Sequence, residues 1–127
     1  MSWLCSTWPA PWRRPWRRQG GGALVVTGNT SSLRGKAKFA GFAPTKAAQR
    51  ILAESIAREM GPQGLHVAYL MIDAVIDVPW TRERYKDADD DFFIRPAAIA
   101  DEAWHLAHQD RSAWSFLTEV RPFGETW

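Results

Sequence analysis

The sequence predicts an α/β protein built on a parallel sheet, and three observations carry that prediction. Two apolar runs, Ala23-Leu24-Val25-Val26 and Leu65 through Ile72, read as strands covered on both faces. Between them a patterned stretch from about Pro44 to Met60 reads as a helix that stops at Gly61-Pro62. A strand, a helix and a second parallel strand make one βαβ unit, whose crossover is right-handed in nearly all known cases.

The elements follow in order. Gly20-Gly21-Gly22 is a flexible entry to a first strand at roughly Ala23 to Thr27. Residues Gly28 to Gly41 form a loop rich in glycine and serine. Proline near the first turn suits the start of the long helix, where its missing N–H costs nothing. Ala47, Ala48, Ile51, Leu52, Ile56 and Met60 form its expected buried stripe, with Gln49, Arg50, Glu54, Arg58 and Glu59 on other faces. Leu65–Ile72 is the second strand. Asp73 to Phe93 reads as a polar connection, and Asp89-Asp90-Asp91 within it as solvated surface, without the spacing of a calcium loop. A helix at about Pro96 to His108 and a short strand at Ser115 to Val120 close the chain. The expected architecture is an incomplete doubly wound parallel sheet occupying residues 20–127.

Residues 1–19 are a different text. Trp3, Trp8, Trp12 and Trp16 alternate with Pro9, Pro11, Pro15 and four arginines. Prolines at that spacing forbid a regular helix and a central strand, so the segment is expected to be disordered. No apolar stretch follows the charges, which argues against a secretory signal. One reading is a membrane-surface or anion-binding tail spanning residues 1–18, because tryptophan favours the lipid interface and arginine favours phosphate. The preferred reading is a frame-shifted gene start, since these residue types share GC-rich codons.

Composition narrows the function classes. The formal net charge of +2 is uneven: residues 1–18 hold four of the 16 basic residues and no acid. The remaining 12 basic side chains face 14 acidic ones, leaving the rest of the chain at −2. No basic stripe with interleaved aromatics occurs after residue 18, so nucleic acid is not the expected partner. Cys5 is the only cysteine, which rules out an internal disulfide and makes a cytoplasmic address the default. No run reaches the roughly 18 apolar residues of a membrane helix.

The segment from Ala23 to Lys46 carries the chemistry. Thr27-Gly28-Asn29-Thr30-Ser31-Ser32-Leu33-Arg34-Gly35 follows the first strand, and Phe39-Ala40-Gly41-Phe42-Ala43-Pro44-Thr45-Lys46 opens the helix. With Glu59-Met60-Gly61-Pro62 and Gly64-Leu65-His66-Val67, it resembles the second half of a short-chain dehydrogenase/reductase domain, a Rossmann-like fold. The tail from Ser112 through Gly124 also resembles the closing strand of some members. The resemblance implies an NAD(P)-dependent oxidoreductase acting on carbonyl or alcohol substrates. In such enzymes a tyrosine is the general base, a lysine four residues later lowers its pKa and binds the nicotinamide ribose, and a serine holds the substrate oxygen. The physics is sound, because an adjacent ammonium favours the phenolate and the four-residue spacing sets both groups on one helix face.

On that pattern Lys46 takes the lysine position, Phe42 the tyrosine position and Asn29 the serine position. Phenylalanine has no proton to exchange, whereas asparagine still forms hydrogen bonds. Such enzymes commonly continue with a Pro-Gly-x-Ile/Val-x-Thr turn against the nicotinamide; of Asp73 to Val78, only Ile76 agrees. No G-x-G-x-x-G lies before residue 22, and Gly20-Gly21-Gly22 precedes a strand where a phosphate turn would follow one. The implied function is a truncated, inactive oxidoreductase copy.

The alternative is a non-catalytic module that pairs with itself or with a full-length relative through the long helix and last strand. Each residue also has a plain structural reading: Phe42 as core, Lys46 as an ordinary helix lysine, Asn29 as a cap for its own loop. Ser31 and Ser32 are two and three residues out of register to replace the serine. His105 and His108 are one turn apart, but no third metal ligand is evident, so no metal is expected. Nothing in the sequence fixes Tyr85 in a pocket.

Overall fold

A computed structural model describes residues 20–125, so the expectations for residues 1–19 lie outside it. Strands β1 (Gly22–Gly28), β2 (Leu65–Ile72) and β5 (Leu117–Val120) form one sheet in the order β1-β2-β5. Both pairings are parallel, with Val25 opposite Ala68 and Leu70 opposite Thr118. The fold is α/β, as the apolar runs predict.

Strand β2 is the centre of the molecule, and its side chains alternate between two core layers. Val67, Tyr69 and Met71 pack with Ala53 and Met60 of helix α1 (Ala43–Met60). Ala68 and Leu70 face the other way, against Leu106 of helix α3 (Pro96–Ala107) and partly buried Ile99 and Ala103. Strand β1 was expected to be covered on both faces. It is only half-buried, because among the described residues it lies at the sheet edge.

Helix α1 is about 27 Å long at 1.5 Å per residue. Phe42, at its N-cap, offers no capping side chain; the Thr45 hydroxyl donates to the Phe42 carbonyl (2.7 Å), which leaves the first-turn N–H groups uncapped by it. Its buried positions are Ala43, Ala53 and Met60, with Ile56 and Ala57 partly buried beside them. This corrects the expected stripe: Ala48, Ile51 and Leu52 point to solvent, with Ile51 51% and Leu52 60% exposed. The many alanines hid the phase of the pattern. The helix also ends differently. Gly61 stays right-handed and opens a short 3₁₀ turn through Gln63, and Gly64, at φ +94°, makes the reversal into β2. A side chain at Gly21 would overlap the Gly64 carbonyl, so glycine is needed on both sides of this crossing.

Asp73 to Phe93 is not the plain connection expected. It contains β3 (Val75–Ile76) and α2 (Pro79–Arg84), and β3 pairs in parallel with β4 (Phe93–Ile94). Arg82 ties this unit together. Its Nε and Nη2 grip the two oxygens of Asp77 (2.6 and 2.8 Å), its Nη1 meets Asp90 (2.6 Å), and its guanidinium lies 4.0 Å from the Phe93 ring centre. Asp90 is therefore an ion-pair partner as well as a surface acid. Arg82 holds the Asp77 carboxyl below the usual carboxylate range through these hydrogen bonds. The closing strand is shorter than expected, starting at Leu117. Ser115 ahead of it is occupied, its carbonyl accepting from Nε2 of buried His66 (2.8 Å), whose ring stacks on Trp114.

Candidate functional site

The site lies where β1 and β2 end and α1 begins, at the carboxyl ends of parallel strands, where open α/β sheets bind ligands. A cleft of about 210 Å³ there is lined by Gly28, Asn29, Lys46, Ile72, Ala74 and Ile76, among others. Three of the four residues singled out from the sequence, Asn29, Lys46 and Ile76, thus come together from three separate segments.

Each is held differently. Asn29 leaves β1 in extended conformation, and its Oδ1 accepts from the Ser31 N–H (3.1 Å), capping a short 3₁₀ turn at Thr30–Ser32. Its acceptor is occupied by its own loop, while its NH₂ group remains a donor. Lys46 sits one turn inside α1, half-buried, with Nζ 3.3 Å from Gln49 Oε1 and 5.7 Å from the Phe42 ring centre. Ile76 belongs to β3 and adds an apolar wall.

Phe42 does not line the cleft. Nor is it core, as its structural reading supposed: it is 43% exposed, edge-on to Phe39 at 5.8 Å. It precedes the helix, where no layer covers it. Ser32 does not stand in for the missing serine either, being buried with no hydrogen-bond partner for its hydroxyl among the described residues. Nδ1 of His108 is 2.8 Å from the Trp104 carbonyl, and its ring stacks on the Trp104 indole. No group of three metal-binding side chains occurs among the described residues.

Two contributors escaped the sequence reading. Gly28 has to be glycine, because a Cβ there would overlap the hydroxyl of Tyr69, a side chain fully buried beneath it. Beside the first cleft a second hollow of about 370 Å³ shares Ala74 and Ile76 and is walled by Trp80 and Tyr85. Trp80 is 66% exposed, and Tyr85 packs on Phe92 at 5.3 Å. Larger hollows lie beside Ser31–Arg34 and between α2, β4 and α3, but neither gathers Lys46 or Asn29.

A dinucleotide does not fit the described residues. The cleft falls below the roughly 300 Å³ at which ligand pockets begin, and no glycine-rich phosphate turn adjoins it.

No family model and no curated protein matches the chain. Solved structures do. A short-chain dehydrogenase from Rhodopseudomonas palustris is 39% identical, with a TM-score of 0.66 over 87% of this chain and 42% of its own. A short-chain type dehydrogenase/reductase from Mycobacterium ulcerans reaches a TM-score of 0.70 at 19% identity, over 85% of this chain and 43% of its own. A gluconate 5-dehydrogenase from Burkholderia cenocepacia, solved with NADP and tartrate, gives 0.65 at 16% identity over 84% and 46%. The latter two speak to fold alone. The chain spans less than half the length of each of these structures. With the parallel sheet and the loop-and-helix site already in place, the chain belongs to the short-chain dehydrogenase/reductase family and represents part of its domain.

Proposed function

We propose that the 127-residue chain keeps the scaffold of an NAD(P)-dependent oxidoreductase for carbonyl or alcohol substrates and does not itself catalyse that reaction. One observation carries the reading. Asn29, Lys46 and Ile76 meet at one cleft, while the position one turn before Lys46 is an exposed phenyl ring with nothing to protonate. The ammonium is in place, and the group whose pKa it would lower is absent.

Cofactor grip is tested by thermal-shift titration of the full chain with NADH and with NADPH. A ligand that binds only the folded state raises stability by RT ln(1 + [L]/Kd). We expect no shift at about 1 mM of either, which corresponds to Kd well above 1 mM. A saturable rise would contradict the reading.

The second reading, an association module, is favoured by the solvent-facing apolar residues of the same helix, Ile51 and Leu52. Its partner would be another copy or a full-length relative. Nucleic acid is not expected, and any membrane-surface role would rest on residues 1–18. Among the described residues no helix is long and apolar enough to cross a membrane. A cytoplasmic address, proposed from the single Cys5, belongs with this reading.

A further inference from the structure

We propose that the hollow between the Ser31–Lys36 loop and the first turns of α1 binds a small organic anion, an oxyanion carried on an apolar body. The proposal is separate from the catalytic reading, because neither Asn29 nor Lys46 lines this hollow.

Charge is the first observation. Residues 20–53 hold five basic side chains and no acid, whereas residues 54–127 hold seven basic and 14 acidic ones. The positive segment folds around a hollow of about 420 Å³, within the size range of ligand pockets. Arg34, Lys36 and Arg50 line it, and none of the chain's 14 acidic side chains does. Residues 1–19 contain no acid either, so they bring no side chain that would neutralise it. Cations gathered without a counter-charge raise the local concentration of anions.

Two of these cations are uncommitted and one is anchored. Arg34 and Lys36 are exposed on the loop. Arg34 forms no hydrogen bond or ion pair among the described residues, and Lys36 only lies 5.8 Å from the Phe39 ring centre. Arg50 is braced on the opposite wall, its Nε donating to the Ser32 carbonyl (3.3 Å) and its Nη1 standing 3.5 Å from Glu54. A braced guanidinium presents a planar fork suited to two oxygens of one anion.

Ser32 is the second, independent observation. It lines the same hollow, is 2% exposed, and its hydroxyl has no partner among the described residues. A buried hydroxyl left unpaired costs stability. The loop does not need it, since the Ser32 N–H donates to the Asn29 carbonyl (3.0 Å) and Arg50 holds the Ser32 carbonyl. In the proposed complex this hydroxyl turns about χ1 and donates to the anion. Helix α1 adds to the attraction: Ala43 and Pro44 of its first turn line the hollow, and that turn carries neither an acid nor a capping side chain. Leu33, Phe39, Ala40 and Ala47 supply apolar wall for the body of the ligand.

The test is a titration of the full chain with phenyl phosphate, benzoate and phenol at constant ionic strength, followed by amide ¹H–¹⁵N spectra. We expect saturable shifts at Ser31–Lys36 with an anion, half-complete at about 1–10 mM for ligands of so few atoms, and none with phenol. The tighter of the two anions tells whether a phosphate ester or a carboxylate is the better occupant. Arg34→Gln with Lys36→Gln should weaken binding about tenfold or more while the fold is kept, both side chains being exposed. Lys38→Gln removes the same charge two residues away, outside the lining, and should change binding less than about twofold. Ser32→Ala should weaken binding and leave the urea midpoint of the free chain at or above the parent's. Should Ser32→Ala fail to fold, the exposed-pair variant and Lys38→Gln decide alone. No saturable shift with either anion, phenol binding as well as the anions, or equal weakening by Lys38→Gln and by the exposed pair would overturn the proposal.

Discussion

Replacing Gly28 with alanine is expected to be among the most damaging single changes in the described chain. The new Cβ would overlap the Tyr69 hydroxyl and ring. Tyr69 is wholly buried in the layer between β2 and α1, so its ring can move aside only by displacing packed neighbours. Overpacking of this kind costs about 1–3 kcal/mol and sometimes more. That is a large share of the about 5–15 kcal/mol that holds a domain folded. Urea unfolding should show a lowered midpoint for Gly28→Ala at unchanged slope. Gly35→Ala is the control, because nothing lies near its added Cβ, and it should stay within about 0.5 kcal/mol of the parent. Shortening the obstructing side chain, in Gly28→Ala with Tyr69→Leu, should recover part of the loss. Equal stability of Gly28→Ala and Gly35→Ala would show that Tyr69 does not occupy that space.

Restoring the missing phenol is expected to achieve nothing by itself. Phe42→Tyr would return a titratable group 5.7 Å, by ring centre, from the Lys46 ammonium. General acid–base assistance is worth about 10²–10⁴-fold, but only for a substrate and cofactor already in position. The cleft offers an occupied Asn29 acceptor, a lysine turned to Gln49 and no phosphate turn. Phe42→Tyr with Asn29→Ser should therefore also remain at background. Activity should emerge only when this double variant is fused to the first half of a related dehydrogenase. Turnover by Phe42→Tyr alone would mean that residues outside this cleft hold the cofactor.

What could be read from the sequence was whatever repeats along the chain. Strand β2 was legible to the residue, since eight largely apolar positions between Gly64 and Asp73 leave one interpretation. The parallel pairing followed from two such runs around a helix. The phase of α1 was not legible, because alanine is at home on either face, and only β2 decides that Ala53 is buried and Leu52 is not. The Asp73–Phe93 unit was missed because its strands are two residues long and depend on an arginine reaching two separate acids. At the site, Asn29, Lys46 and Ile76 were singled out through the family resemblance. Gly28 and Trp80 were not, since a close approach and a shared wall exist only once the chain has folded.

The most direct test of the central claim is the oxidation of NADPH and NADH by the unmodified 127-residue chain over a panel of aldehydes and ketones. Rates indistinguishable from a heat-killed control are expected with both cofactors, from a chain that circular dichroism shows to be folded. Any carbonyl-dependent rate above that control, abolished by Lys46→Ala, would contradict it.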